Sequence, residues 1–447
     1  MDPFLLSLLC LAAVISLLVL RTPIAFALGA SASAGIFVFF SWRPGEAFDA
    51  ARGIGPAVSL LGSTPFDFVH NYPLSMIPLF IALGHIAYHA RITTDIYDAI
   101  RVWLSRAPGG LAMASVIGCG GFSAITGSSV ACASAMGRIA VPEMLRFNYD
   151  KGLATGSVAA GGTLGSLIPP SLLFVIYAIF TEQSVKTLFL AGIVPGLLSL
   201  AGYMITIYIW ARLRPGDAPR PEVSFTSAEK WAAARKTWPA ILLLAIVILG
   251  IYLGIFTPTE AAAVSAVAAA AIGFLTGRLR WAGFVKALSD TVYQTAMIFA
   301  IAIAAKIFVS FLSLTRLAPQ ILDAVQALDP PVYAVVLMVV VLYIVLGMFL
   351  DSIGLLVLTL PFTVPLMEGY GFDLIWFGVI VIKLLEIGLI TPPIGLNVFV
   401  IQGVTSGKVA LEDVFKGVSR FLVLDFVVLA LLLLFPVLSL WIPGSAW

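Results

Sequence analysis

The apolar positions of this chain gather into long runs joined by short polar turns, and they do not alternate as they would along a half-buried strand. Runs lie at about 3–20, 22–40, 73–90, 186–210, 238–256, 258–278, 291–312 and 420–443. A helix rises about 1.5 Å per residue, so about 20 apolar residues cross a bilayer and each run predicts one span. Stretches 150–181 and 373–404 hold about 32 residues each, too many for one straight crossing and too few for two. Each therefore predicts a helix broken inside the membrane. Stretches 108–147 and 332–367 are either two crossings apiece or re-entrant hairpins. The expected fold is an all-α polytopic membrane protein with about ten spans, two re-entrant hairpins and two broken helices.

Composition agrees, since 61% of the 447 residues are hydrophobic and only 11% charged. A soluble globule is excluded, and a net charge of +2 argues against a nucleic-acid partner. The first run does not read as a signal peptide, because Asp2 stands where a basic region belongs and no small-residue cleavage site precedes a polar domain. The longest polar connection, Arg212 to Thr237, carries Arg212, Arg214, Arg220, Lys230, Arg235 and Lys236 and is placed inside by the positive-inside rule. Threading outward from it puts 18 basic residues on that side against Arg43, Arg52, Lys186 and Arg316 opposite, with both termini outside. Segments 91–106, 279–290 and 405–418 read as amphipathic helices on the inner interface.

Shifted by 223 positions, 128–170 aligns with 351–393 without a gap. The matches are Ser129/Ser352, Val141/Val364, Pro142/Pro365, Met144/Met367, Asp150/Asp373, Val158/Val381, Gly165/Gly388, Pro169/Pro392 and Pro170/Pro393. Roughly three or four are expected by chance in so biased a composition. An odd number of crossings separates the copies, which makes the repeat inverted. The expected organisation is scaffold spans over 1–107, a first repeat over 108–210, an inner loop over 211–237, further scaffold spans over 238–331 and a second repeat over 332–447.

Inverted repeats with a broken helix in each copy point to a secondary transporter whose site lies near the midplane. The breaks read GGTLGSLIPPS, Gly161 to Ser171, and EIGLITPPIGLN, Glu386 to Asn397. Paired prolines withdraw amide donors and free carbonyls one turn back, and free carbonyls suit a hard monovalent cation such as sodium. Each hairpin tip is expected to approach its own break. That gives two related cation sites: Ser128 and Ser129 with carbonyls near Gly165, and Asp351 and Ser352 with Thr391 and carbonyls near Gly388. The half-helices beyond the breaks, with Ser171 and Asn397, present amides and positive dipole ends to an anion. The bland alternative for the first tip, rich in Gly, Ala and Ser, is a close helix-packing surface.

Ionisable residues inside the bilayer each cost about 2.5–3.5 kcal/mol or more, so they need partners or a task. Asp351 sits at a tip and is the best functional candidate. Lys383 and Glu386, three apart on one helix face, neutralise each other or serve the site. Arg138 and Glu143 form an inner-interface anchor, or Arg138 touches an anionic substrate. Lys306 is left open between snorkelling, pairing and countering substrate charge. Glu260, in TPTEAAAV, follows a helix-start signal and reads as a capping acid.

These residues also resemble a known family. FSAITGSSVACASAMGRIAVPEM from Phe122, YDKGLATGSVAAGGTLGSLIPPS from Tyr149, TEQSVKTLFLAGIVPG from Thr181, GMFLDS from Gly347 and WFGVIVIKLLEIGLITPPIGLNVFV from Trp376 closely resemble the large membrane subunit, DctM type, of tripartite ATP-independent periplasmic (TRAP) transporters. The resemblance covers nearly the whole chain in order. It implies a bacterial inner-membrane protein with both termini periplasmic, which imports an organic acid (a C4-dicarboxylate, keto acid, sugar acid or sialic acid) with sodium by an elevator-like movement. It also implies two partners: a separate small four-helix membrane subunit of DctQ type and a periplasmic binding protein of DctP type. The family's sodium-site regions fall on Ser128, Ser129 and Gly165, and on Asp351, Ser352 and Thr391.

The rivals are a stand-alone dicarboxylate or citrate carrier of the same superfamily and an intramembrane hydrolase. The latter's foothold is HIAYH, His85 to His89, but Ile86 stands where a general-base Glu belongs. No phosphate-binding G-x-x-x-x-G-K-[ST] loop exists for an ATP-driven pump.

Overall fold

The computed structural model describes residues 1–219, 225–405 and 407–445. Arg220 of the basic loop lies outside them. Among the described residues the chain is helical without strands. Seven helices are long and apolar enough to cross a membrane, or up to nine if each of two bent pairs counts as one span.

Helix starts follow local chemistry. Asp2, Asp49, Asp150 and Ser184 each accept a hydrogen bond from a backbone N–H of the first turn they precede, satisfying donors with no partner in the helix. Thr257 and Glu260 form a reciprocal capping box at the start of Pro258–Leu275, as the sequence suggests, and Thr226 with Glu229 forms another.

The chain divides into two compact units. The first comprises 1–75, 293–341 and 353–374. In it Pro3–Val19 packs on Ile24–Ser41, which packs in turn on Ala50–Val69. The Cys10 thiol donates to the Ser31 carbonyl at 3.6 Å. The Ala50–Val69 helix lies where hydropathy marks no span, because its polar residues and its internal Pro56 and Pro65 hide it.

The second unit comprises 76–292, 342–352 and 375–447. Its centre is Lys151–Leu167, buried at every position from Gly152 onward. Its small residues let Gly110–Thr126, Ser129–Arg146, Val185–Leu213 and Leu411–Leu434 approach it closely. The first hairpin forms from Gly110–Thr126 and Ser129–Arg146, while in the second stretch Val332–Gly347 and Ser352–Gly369 are two helices interrupted at 348–351. Both over-long stretches break where expected. One runs Lys151–Leu167 and resumes as Leu172–Thr181, while the other runs Leu374–Ile390 and resumes as Leu396–Val404. The Pro169–Pro170 and Pro392–Pro393 bonds are both cis.

Two boundaries differ from the sequence reading. The interfacial segment 279–290 and the span 291–312 are one 35-residue helix, Trp281–Thr315. No proline interrupts it, and Lys286 pairs with Asp290 one turn on, at 3.6 Å. Residues 411–418 likewise belong to the last span, which runs Leu411–Leu434 and gives way at Pro436 to Val437–Ser445, while Ser406 lies outside the described residues. Ile92–Leu104, by contrast, is a separate amphipathic helix bent 60° from the preceding one.

Candidate functional site

The first hairpin tip docks on its own break. Ser128 caps the returning arm by accepting from Ala131 N at 3.4 Å, and Gly127 accepts from Leu172 N at 3.2 Å, at the start of the half-helix beyond the break. The buried Ser129 hydroxyl lies 2.6 Å from Ser166 Oγ and 3.4 Å from the Thr163 carbonyl. Gly165 is the contact point, since a Cβ there would meet the Ser128 carbonyl carbon and Ser129 N at 3.0 Å and Ser123 Oγ at 3.1 Å. Ser123 Oγ is buried with no hydrogen-bond partner among the described residues. Ser171 starts the second half-helix by accepting from Phe174 N at 3.4 Å.

In the second repeat the close contact involves the hairpin arm and not the tip residues. Gly388 backs onto Gly347 at the end of the hairpin arm, where an added Cβ would stand 2.9 Å from the Gly347 Cα and carbonyl oxygen. Thr391 is buried and donates to the Ile387 carbonyl at 2.5 Å. Asp351 is exposed at the tip, and Ser352 Oγ is buried without a hydrogen-bond partner among the described residues. The breaks differ in cover: Pro169 and Pro170 are buried, Pro392 and Pro393 exposed.

Asn397 joins the two repeats. It is wholly buried in the half-helix beyond the second break, and its Nδ2 donates to Ala159 O of the first broken helix at 3.3 Å, leaving Oδ1 without a partner among the described residues. Arg138 is exposed and is not anchored by Glu143. Glu143 instead pairs with Arg101 and accepts from Tyr97 Oη at 2.7 Å, both from the Ile92–Leu104 helix.

Lys383 and Glu386 do pair, at 3.2 Å, but within a larger cluster. The three ammonium protons of Lys383 go to Asp425 Oδ1 at 2.7 Å, Ser199 Oγ at 3.1 Å and Glu386 Oε2 at 3.2 Å. All three charged side chains are fully buried. Tyr203 Oη donates to the same Asp425 oxygen at 2.7 Å and lies 3.2 Å from Thr163 Oγ1. Hydrogen bonds thus link the Thr163 hydroxyl through Tyr203 and Asp425 to Lys383 and Glu386 before the second break, and the backbone carbonyl of the same Thr163 accepts from Ser129 at the first tip. Asp425, Tyr203 and Ser199 escape the sequence reading. The one usable signal was Asp425 itself, a lone acid in an otherwise apolar FLVLDFVVLALLLL.

His89 Nε2 lies 3.6 Å from Asp290 Oδ2, and among the described residues no group of three or more His, Cys, Asp and Glu is arranged to hold a metal.

Residues 11–438 match the family described as "Tripartite ATP-independent periplasmic transporter, DctM component". The chain is 35% identical to the C4-dicarboxylate TRAP transporter large permease protein of Pseudomonas aeruginosa, over 85% of this chain and 88% of that one. It is 32% identical to the sialic acid TRAP transporter large permease protein of Vibrio cholerae, over 84% and 87%. Among solved structures, the YdaH transporter of Alcanivorax borkumensis superposes with a TM-score of 0.57 at 17% identity, over 99% of each chain. At that identity the likeness is one of fold.

Proposed function

On the premise that the chain belongs to the DctM family of TRAP transporter large permeases, and is a multi-pass membrane transporter rather than an enzyme, we propose that it imports an organic acid with sodium as the coupling ion. The observation carrying this reading is the contact of each repeat's hairpin with its own broken helix, at Gly165 and at Gly388. Where a helix stops inside a bilayer, its last carbonyls have no amide partner and need a ligand. In the first repeat, Ser123, Ser128 and Ser129 supply neutral oxygens beside those carbonyls. In the second, Asp351, Ser352 and Thr391 do the same with one formal charge. Neutral oxygens and a single carboxylate suit a monovalent cation.

Cation binding stabilises the tips against the breaks, and the carboxylate of the acid is held between the half-helix N-termini that begin at Ser171 and near Asn397, with Arg138 available as a counter-charge. The hairpins and broken helices travel as one body in an elevator motion. Each net positive charge moved inward gains about 2.3 kcal/mol per 100 mV, enough to concentrate an acid. Location in the inner membrane with periplasmic termini, a small four-helix subunit and a periplasmic binding protein complete the assembly.

Uptake of a C4-dicarboxylate and of a sialic acid into proteoliposomes holding the chain with its small subunit tests this. Uptake is expected to need both an inward sodium gradient and the binding protein. Sodium-driven uptake without any binding protein favours a stand-alone carrier, and uptake indifferent to sodium refutes the coupling.

A further inference from the structure

The end of the second unit at which Val185–Leu213 closes carries a recess unrelated to the cation sites. It is a cavity of about 330 Å³ lined by Thr206, Ile209, Trp210, Leu213, Arg214 and Arg420. The Arg420 guanidinium lies flat on the Trp210 ring, 3.4 Å from its centroid, and its Nη1 is buried with no hydrogen-bond partner among the described residues. The nearest acids are engaged elsewhere. Asp217 Oδ2 accepts from Trp210 Nε1 at 2.8 Å, and Asp150 Oδ1 accepts from Leu153 N at 3.0 Å. The Asp150 N to Asp217 O bond, 2.8 Å, ties the turn between Arg146 and Lys151 to the turn after Arg214, so this end is strongly basic.

Below the two arginines the wall is apolar. Ile205, Ile209 and Leu213 follow one another at helical spacing and are 57%, 50% and 77% exposed, as a lipid-facing stripe must be. A free, fully hydrated anion gains nothing from that stripe. A phosphodiester carrying acyl chains uses both parts, with the phosphate between Arg214 and Arg420 and the chains along Ile205, Ile209 and Leu213. The carbonyls ending Val185–Leu213 oppose an anion with about half a charge, which two guanidinium groups outweigh. We infer that this recess is a binding site for an anionic phospholipid. Such basic pockets between helices at the cytoplasmic face are where anionic headgroups bind.

The test is native mass spectrometry and thermal unfolding of the delipidated full chain, with dioleoyl phosphatidylglycerol, dioleoyl phosphatidylcholine or inorganic phosphate added. Phosphatidylglycerol is expected to bind and stabilise, and the other two are not. Arg420→Gln is expected to weaken binding several-fold and the Arg214→Gln/Arg420→Gln pair about tenfold or more. Lys416→Gln, at the same end but outside the recess, is expected to change little. Arg214 is exposed, so Arg214→Gln alone tests the site if loss of the Arg420–Trp210 stack impairs folding. Equal binding of phosphatidylcholine, equal stabilisation by inorganic phosphate, or unchanged phosphatidylglycerol binding in Arg214→Gln and the pair overturns the proposal. The first would indicate acyl-chain binding only, and the second a soluble-anion site.

Discussion

Lys383 Nζ sits 2.7 Å from Asp425 Oδ1, joining the arm that leads into the second break to the last span 42 residues further on. Neither residue has any exposed side chain. An ammonium with all three donors satisfied holds two buried carboxyls that would otherwise face each other uncompensated.

Lys383→Met therefore removes the cation that pairs with both buried acids and is expected to cost about 3–5 kcal/mol of stability. Thermal unfolding in detergent measures it. Adding Glu386→Gln and Asp425→Asn to the same chain is expected to recover part of the loss. An unshifted midpoint in Lys383→Met contradicts the role assigned to the cluster.

Tyr203→Phe deletes one hydroxyl and leaves the ring in place. Asp425 then loses a donor, and an expected loss of about 1–3 kcal/mol follows from the weakened buried acceptor. Because the path continues to Thr163 and the Ser129 contact, half-saturation by sodium is also expected to rise in transport assays. Lost stability with unaltered sodium dependence would confine Tyr203 to a structural role.

Gly165→Ala sets a methyl group against the backbone of Ser128 and Ser129 at 3.0 Å, and Gly388→Ala sets one against Gly347 at 2.9 Å. Backbone cannot rotate aside as a side chain does, so each substitution pushes a hairpin off its break. Transport is expected to fall at least tenfold while the protein still inserts and purifies as a monodisperse species. Normal uptake in either variant would show that the tight contact is dispensable.

Asn397→Ala removes the bond to Ala159 O and a buried oxygen that has no partner among the described residues. If that oxygen serves the acid, KM for the acid rises several-fold and sodium half-saturation stays put. An unchanged KM removes Asn397 from the substrate site.

The first hairpin and both breaks are legible because prolines, glycines and serines interrupt an otherwise apolar chain there. Run lengths of about 32 residues force a break inside the membrane. Charge made the Lys383–Glu386 pair visible, since three residues on a helix bring side chains together. Asp425 and Tyr203 were not legible as partners, because nothing local links Tyr203 to a carboxylate 222 residues away. The partner of Glu143 is illegible for the same reason, since Arg101 comes from another helix. Ala50–Val69 was missed because internal prolines and polar side chains mask a helix that packs on its neighbour.

Sodium titration of thermal stability tests the central claim most directly, with the purified chain compared to Ser129→Ala and Asp351→Ala and potassium or choline chloride as controls. The account predicts that sodium alone stabilises the unaltered chain and that each substitution weakens the response, with Ser129→Ala and Asp351→Ala together abolishing it. Identical sodium titrations in all the chains would contradict it.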